Sequence, residues 1–179
     1  MTDFSLVITM AIFALSMSIS PGPVNLMVLS SGVNYGTRQT MPFVLGAVVG
    51  FTLLLAVTGL GLAKIVFEHA GLSILMCLLG NGFIGYLGLS LWRANGDLAE
   101  VKTGLPSFWQ GSLLQWLNPK AWAACLAGVS GFNLIHAEQE LLMFVMVYFT
   151  ICLLAMSSWA VAGEKMRGWL QVKRRLIIF

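Results

Sequence analysis

The sequence predicts an all-α integral membrane protein, and three observations carry that reading. Hydrophobic residues make up 58% of the 179, charged residues only 9%, and mean hydropathy is +0.87, where a soluble domain carries about 25% charged residues. The apolar residues gather into five runs, each long enough at about 1.5 Å per residue to cross the roughly 30 Å of a bilayer core. The first and fourth of these runs are interrupted by proline, so two of the five predicted transmembrane helices should be broken. The chain is read as a single transmembrane domain over residues 1–179.

Other classes fall away on composition. A net charge of +3, with basic residues gathered at one end, does not suit a nucleic-acid partner. Cys77, Cys125 and Cys152 each stand alone in an apolar run without ligand spacing, so they read as small hydrophobes, and no metal or other cofactor is expected. An intramembrane enzyme would need a nucleophile with a base, or paired acids, at membrane depth. His69 and His136 fall in short loops and neither HExxH nor GxSxG occurs. The N-terminus lacks a basic n-region and a small-residue cleavage site, so the first span should be retained.

The first run, Phe4–Val33, contains no Lys, Arg, Asp, Glu or His, and as one helix it would rise about 45 Å. Ser20-Pro21-Gly22-Pro23-Val24-Asn25 interrupts it. Each proline removes a backbone donor and clashes with the preceding turn, and Gly22 between them permits a sharp change of direction. One helix should end near Ser20 and a second start at Pro23, a favoured first helical position. The second start brings free N–H groups and the positive end of a helix dipole into the membrane, a candidate anion site. Such a break is tolerated only where protein or a watery cavity surrounds it.

The second span runs from about Met41 to Val66, with Pro42 in its first turn. The third is Leu72–Trp92, followed by a polar loop, Arg93–Ser107. The fourth, Phe108–Leu134, holds Asn118-Pro119-Lys120, where Asn is a good N-cap and Pro fits the first helical position, so a second helix start is expected at Pro119. The fifth is Leu141–Ala162, followed by a basic tail with Lys165, Arg167, Lys173, Arg174 and Arg175. Connections around 34–40, 67–71 and 135–140 are short, so successive helices should be antiparallel neighbours. Eight Lys and Arg fall on one side of the membrane and only Lys64 on the other. The positive-inside rule then puts the N-terminus outside and the tail in the cytoplasm.

The spacings Gly32-x-x-x-Gly36 and Gly46-x-x-x-Gly50 suit close helix contact, as do Gly82, Gly85 and Gly88, which share an arc with Asn81. These glycines serve either static packing or a mobile interface. The two breaks lie about half a six-span protein apart. Three spans repeated once would face the membrane in opposite senses, and corresponding broken helices mark the binding site in many secondary transporters. The repeat halves are read as 1–95 and 107–179, the second incomplete. Lys120 is the one charge deep within a span, about 16 Å along the helix from Trp109. Keeping it there costs roughly 2.5–3.5 kcal/mol, so it has either a carbonyl-lined structural niche or a ligand.

Pro21-Gly22-Pro23-x-Asn25, then Ser30-Ser31-Gly32, Gly36-x-Arg38 and Gly46-x-x-x-Gly50-Phe51, resembles the N-terminal signature of the LysE/RhtB family of amino-acid exporters. Gln115-Trp116-Leu117-Asn118-Pro119-Lys120-Ala121-Trp122 is similar to that family's second motif. The resemblance covers nearly the whole chain. It implies a secondary transporter of the bacterial inner membrane that exports amino acids or derivatives in exchange for protons. It also implies a sixth helix, where this chain departs by stopping at Phe179. Candidate substrate-binding residues are Pro21, Gly22, Pro23, Asn25, Asn118, Pro119 and Lys120, with Asn81 and Gln115 as secondary candidates. Two helix N-termini, a full positive charge and two amides fit a carboxylate better than a cation. Expected partners are a small-molecule substrate and the lipid bilayer, with self-association left open. The competing reading is a non-transporting membrane scaffold or channel subunit.

Overall fold

A computed structural model describes residues 4–62, 71, 74, 78, 82 and 107–176, the last nine as backbone only, and all regular structure among these is helical. Helix α1 is Phe4–Ile19 and α2 is Pro23–Tyr35, and the two are bent by 62° across the Ser20–Gly22 break. The break falls where the prolines require it. Gly22 itself is extended, with φ −156° and ψ 172°, a conformation open to any residue, so backbone freedom is not the reason for glycine there.

Helix α3, Thr37–Val57, follows α2 after a single residue, Gly36, whose φ of +81° only glycine adopts readily. That turn moves the start of α3 ahead of the expected Met41. Pro42 therefore lies inside the helix rather than in its first turn. The expected loop over 34–40 shrinks to Gly36. A π-helical turn, Thr58–Leu62, ends α3 at Gly61, which has φ 105°. The end of the second predicted span beyond Leu62, the third span apart from Gly71, Ile74, Leu78 and Gly82, and most of the following loop lie outside the described residues. Asn81, Gly85, Gly88 and Cys77 are among them.

Helix α4, Phe108–Trp116, starts with a capping box in which the Ser107 hydroxyl accepts from Gln110 N and the Gln110 side chain accepts from Ser107 N. Helix α5, Pro119–Gly131, starts at the predicted proline. Helix α6 is Glu138–Leu176. It begins three residues before the expected Leu141 and runs well past Ala162, so much of the stretch read as a basic tail is helical. Glu, Lys, Met, Arg, Leu and Gln populate that stretch, and all are good helix formers.

Helix α6 packs on α1, α2 and α3, and α3 packs on α4. Small residues make these approaches close. An added Cβ at Gly46 would collide with the Phe108 carbonyl and one at Gly50 with the Ser112 backbone, while Gly111 faces Phe43 and Ala47 in return. Gly32 meets Ala160, and Gly163 meets Leu29 and Val33. Where α2 turns into α3, the Glu164 carboxylate of α6 accepts from Thr37 N at 3.1 Å and from the Thr37 hydroxyl. It thereby caps α3 at the positive end of its dipole.

The outer faces are apolar. Phe4, Ile8, Ile12, Leu15 and Ile19 form an exposed stripe along α1, and Leu142, Met146 and Leu154 do so on α6. Two helical stretches, Thr37–Gly61 and Glu138–Arg167, are long and apolar enough to cross a membrane, and the bent α1–α2 pair counts as a third if it is one span. The predicted count of five exceeds what the described residues carry. Helices α4 and α5, of 9 and 13 residues, are each too short to cross alone.

Candidate functional site

The two breaks meet. Where α1 ends, its last carbonyls lose their helical partners, and side chains from elsewhere take them. Asn25, buried in the first turn of α2, donates its amide Nδ2 to Ser18 O at 2.8 Å and to Ser20 O at 3.1 Å. Lys120, one hundred residues away in the first turn of α5, donates its ammonium to the same Ser20 carbonyl. The negative end of the α1 dipole favours that charge. The lysine stem reaches Ser20 by passing over Gly22: a Cβ placed there would sit 2.9 Å from Lys120 Cδ and 3.3 Å from Nζ. A side chain at Gly22 would have to displace the lysine stem from this path.

The second break is closed from within. Asn118 caps α5 by accepting from Lys120 N at 3.1 Å, and its carbonyl accepts from Ala121 N at 2.9 Å. Its amide donates to Gln115 Oε1 at 3.2 Å, and Trp122 Nε1 donates to Trp116 O at 2.8 Å. The first-turn amides of α5 are therefore spoken for, contrary to the expectation that both helix N-termini point free N–H groups at an anion. At α2 the case differs. Gly22 provides no side-chain cap, and Val24 and Asn25 lack a helical acceptor.

Between the breaks lies a small cavity of about 30 Å³, room for about two waters. Asn25, Gln115, Asn118 and Lys120 line it, so four of the predicted residues come together there, Gln115 included. Pro21, Gly22, Pro23 and Pro119 shape the breaks beside it, and Asn81 lies outside the described residues. Lys120 is the one charged residue among the described lining. Sequence reasoning missed Ser18, Phe51, Tyr148, Cys152, Met17 and Met156, which complete the wall. Phe51 stacks on Tyr148, centroids 4.4 Å apart at 27°, and Tyr148 meets Phe144 edge to face at 5.6 Å. Only Phe51 carried a signal, as the last residue of the Gly46-x-x-x-Gly50-Phe51 motif. Cys152 and Tyr148 come from the middle of an apolar run that reads as plain core.

In chemical terms the cavity lining offers one ammonium and three side-chain amides next to an aromatic wall, with no acid among the described lining, and the uncapped first turn of α2 starts beside it. Such a set suits an anion with an apolar or small polar appendage better than a cation.

Comparison with known proteins agrees with this fold and its two motifs. The LysE type translocator family matches residues 15–178. A cysteine/O-acetylserine efflux protein of Escherichia coli O1:K1 is 26% identical over 161 residues, covering 85% of this chain and 79% of its own. The protein of the same name in strain K12 is 25% identical over the same length. An uncharacterized membrane protein of Vibrio cholerae serotype O1 is 27% identical over 90 residues, 50% of this chain and 44% of that protein. No solved structure matches. With the family matched over nearly its whole length, this chain belongs to the LysE family of membrane translocators, which are transporters and not enzymes.

Proposed function

We propose that this chain exports amino acids or amino-acid derivatives from the bacterial cytoplasm across the inner membrane, by proton antiport, with the substrate carboxylate bound at Lys120. The observation that carries the reading is the Lys120 ammonium, brought from one broken helix onto the Ser20 carbonyl of the other inside a cavity lined by amides. A lysine held, among the described residues, by a carbonyl alone is available to an anion, since a carboxylate is the stronger partner for a charged donor. The efflux relatives, whose name gives cysteine and O-acetylserine, make small neutral amino acids the first substrates to try.

The cavity as it stands is too small for an amino acid, so this conformation is a closed one, and binding requires the helices at the breaks to part. In our reading halves 1–95 and 107–179 form the inverted repeat that would do so, with the N-terminus outside. Single cysteines at Thr2, Asn95 and Glu138, in a background free of the native cysteines, should label from outside, inside and outside in turn. Labelling of Asn95 from outside would overturn the orientation.

The function itself is tested by flux. Purified protein in proteoliposomes should move labelled L-cysteine or O-acetyl-L-serine against a proton gradient and acidify or alkalinise the lumen in step. Flux without proton movement would remove antiport. No flux of any of the common amino acids would leave the scaffold or channel-subunit reading.

A further inference from the structure

We infer that Ser18 Oγ and Asn25 Oδ1 form the subsite for the substrate's α-ammonium, so that the cavity recognises a zwitterion without using an acid. The inference rests on the carboxylate placement at Lys120 and adds the opposite pole. An α-ammonium brings three donors and needs acceptors within a few ångströms of the carboxylate. Most acceptors around the cavity are engaged. The Ser20 carbonyl takes both Asn25 Nδ2 and Lys120 Nζ. Gln115 Oε1 takes Asn118 Nδ2, and Asn118 Oδ1 takes Lys120 N.

At the first break two acceptors carry no hydrogen bond among the described residues. Asn25 spends its nitrogen on Ser18 O and Ser20 O, and its Oδ1 receives no bond among the described residues. Ser18, 6% exposed, lines the cavity, and its Oγ has no hydrogen-bond partner among the described residues. The Tyr148 and Cys152 side chains lie close enough to that hydroxyl to compete for it with a ligand. By contrast, the helical hydroxyls of Thr9, Ser16, Thr40, Thr52, Thr58 and Thr150 each turn back to a carbonyl four residues earlier. A buried hydroxyl left unpaired is destabilising, and a ligand donor would relieve that. The Ser18 backbone carbonyl, fixed by Asn25, holds the residue in register with the amide beside it.

Binding of L-cysteine and of 3-mercaptopropionate, the same molecule without its amine, to the purified full chain tests this. Wild type should bind L-cysteine at least tenfold more tightly. In Ser18→Ala that preference should fall by about tenfold, through weaker L-cysteine binding with 3-mercaptopropionate unchanged, and the melting temperature should hold or rise because an unpaired group is gone. Ser18→Thr, which keeps the hydroxyl, should retain the preference. A Ser18→Ala variant that keeps the preference, or that loses both ligands equally, overturns the subsite while leaving export intact. A wild type that binds neither compound nor any other amino acid overturns the subsite and the exporter reading together.

Discussion

The two helix breaks were written in the same residue types and solve the same problem in opposite ways. Each places a proline at the first position of a helix, and each leaves backbone groups without partners inside an apolar protein. The break before α5 is self-contained: Asn118 caps the amide of Lys120, and Trp122 takes the carbonyl of Trp116. The break between α1 and α2 is not. Its loose carbonyls are satisfied by Asn25 and by Lys120 from across the molecule, and its first-turn amides carry no side-chain cap. One break is a socket and the other presents the plug. A polar region closed by a removable partner can open for a ligand, whereas a self-capped one serves as the rigid mount.

Several substitutions separate the socket from the mount. The largest effect should come from Lys120→Met, which keeps length and removes the charge. Transport of a carboxylate substrate should fall at least tenfold, since a lost charged contact is worth roughly 1.5–3 kcal/mol. Melting temperature should hold or improve, because Asn25 still serves Ser20 O and an expensive intramembrane charge is gone. A protein that fails to accumulate, with its surviving fraction transporting normally, would make Lys120 a structural strut.

Next in size is Asn25→Ala against Asn118→Ala, read as thermal stability. The first orphans the buried Ser18 carbonyl, while Ser20 O keeps Lys120, and should lose about 1–3 kcal/mol. The second removes a helix cap and should lose about 1 kcal/mol. A larger loss for Asn118 would reverse the roles assigned to the two breaks. The smallest effect, and the most specific, concerns Gly22→Ala. Its methyl would crowd Lys120 Cδ at 2.9 Å, and the flexible lysine stem would have to shift to admit it. Transport should drop severalfold in the wild-type background and not at all further in Lys120→Met. Additive losses in the double variant would show that Gly22 matters for some reason other than the lysine stem.

Much of this was legible before any coordinates, because prolines and caps act locally. Pro23 and Pro119 start helices at the positions the chain announces, and Asn118 caps as its type and place require. The reason for Gly22 was not legible. Its φ is ordinary, and what would crowd a side chain there is a lysine 98 positions away. The same holds for Ser18, Tyr148 and Cys152, which sit in featureless apolar runs and join the cavity only once α6 is laid on α1 and α3. Pro42 misled in the opposite direction. A first-turn proline is the common case, but the left-handed Gly36 and the Glu164 cap start the helix four residues sooner.

The claim that Lys120 leaves the Ser20 carbonyl for a substrate carboxylate is tested most directly by replacing that carboxylate. Binding of L-cysteine and of its amide, L-cysteinamide, should be compared in wild type and in Lys120→Met. Wild type should prefer the carboxylate at least tenfold, and the lysine variant should bind the two compounds about equally. A carboxylate preference that survives unchanged in Lys120→Met would contradict the claim and leave the anion to the uncapped amides of α2.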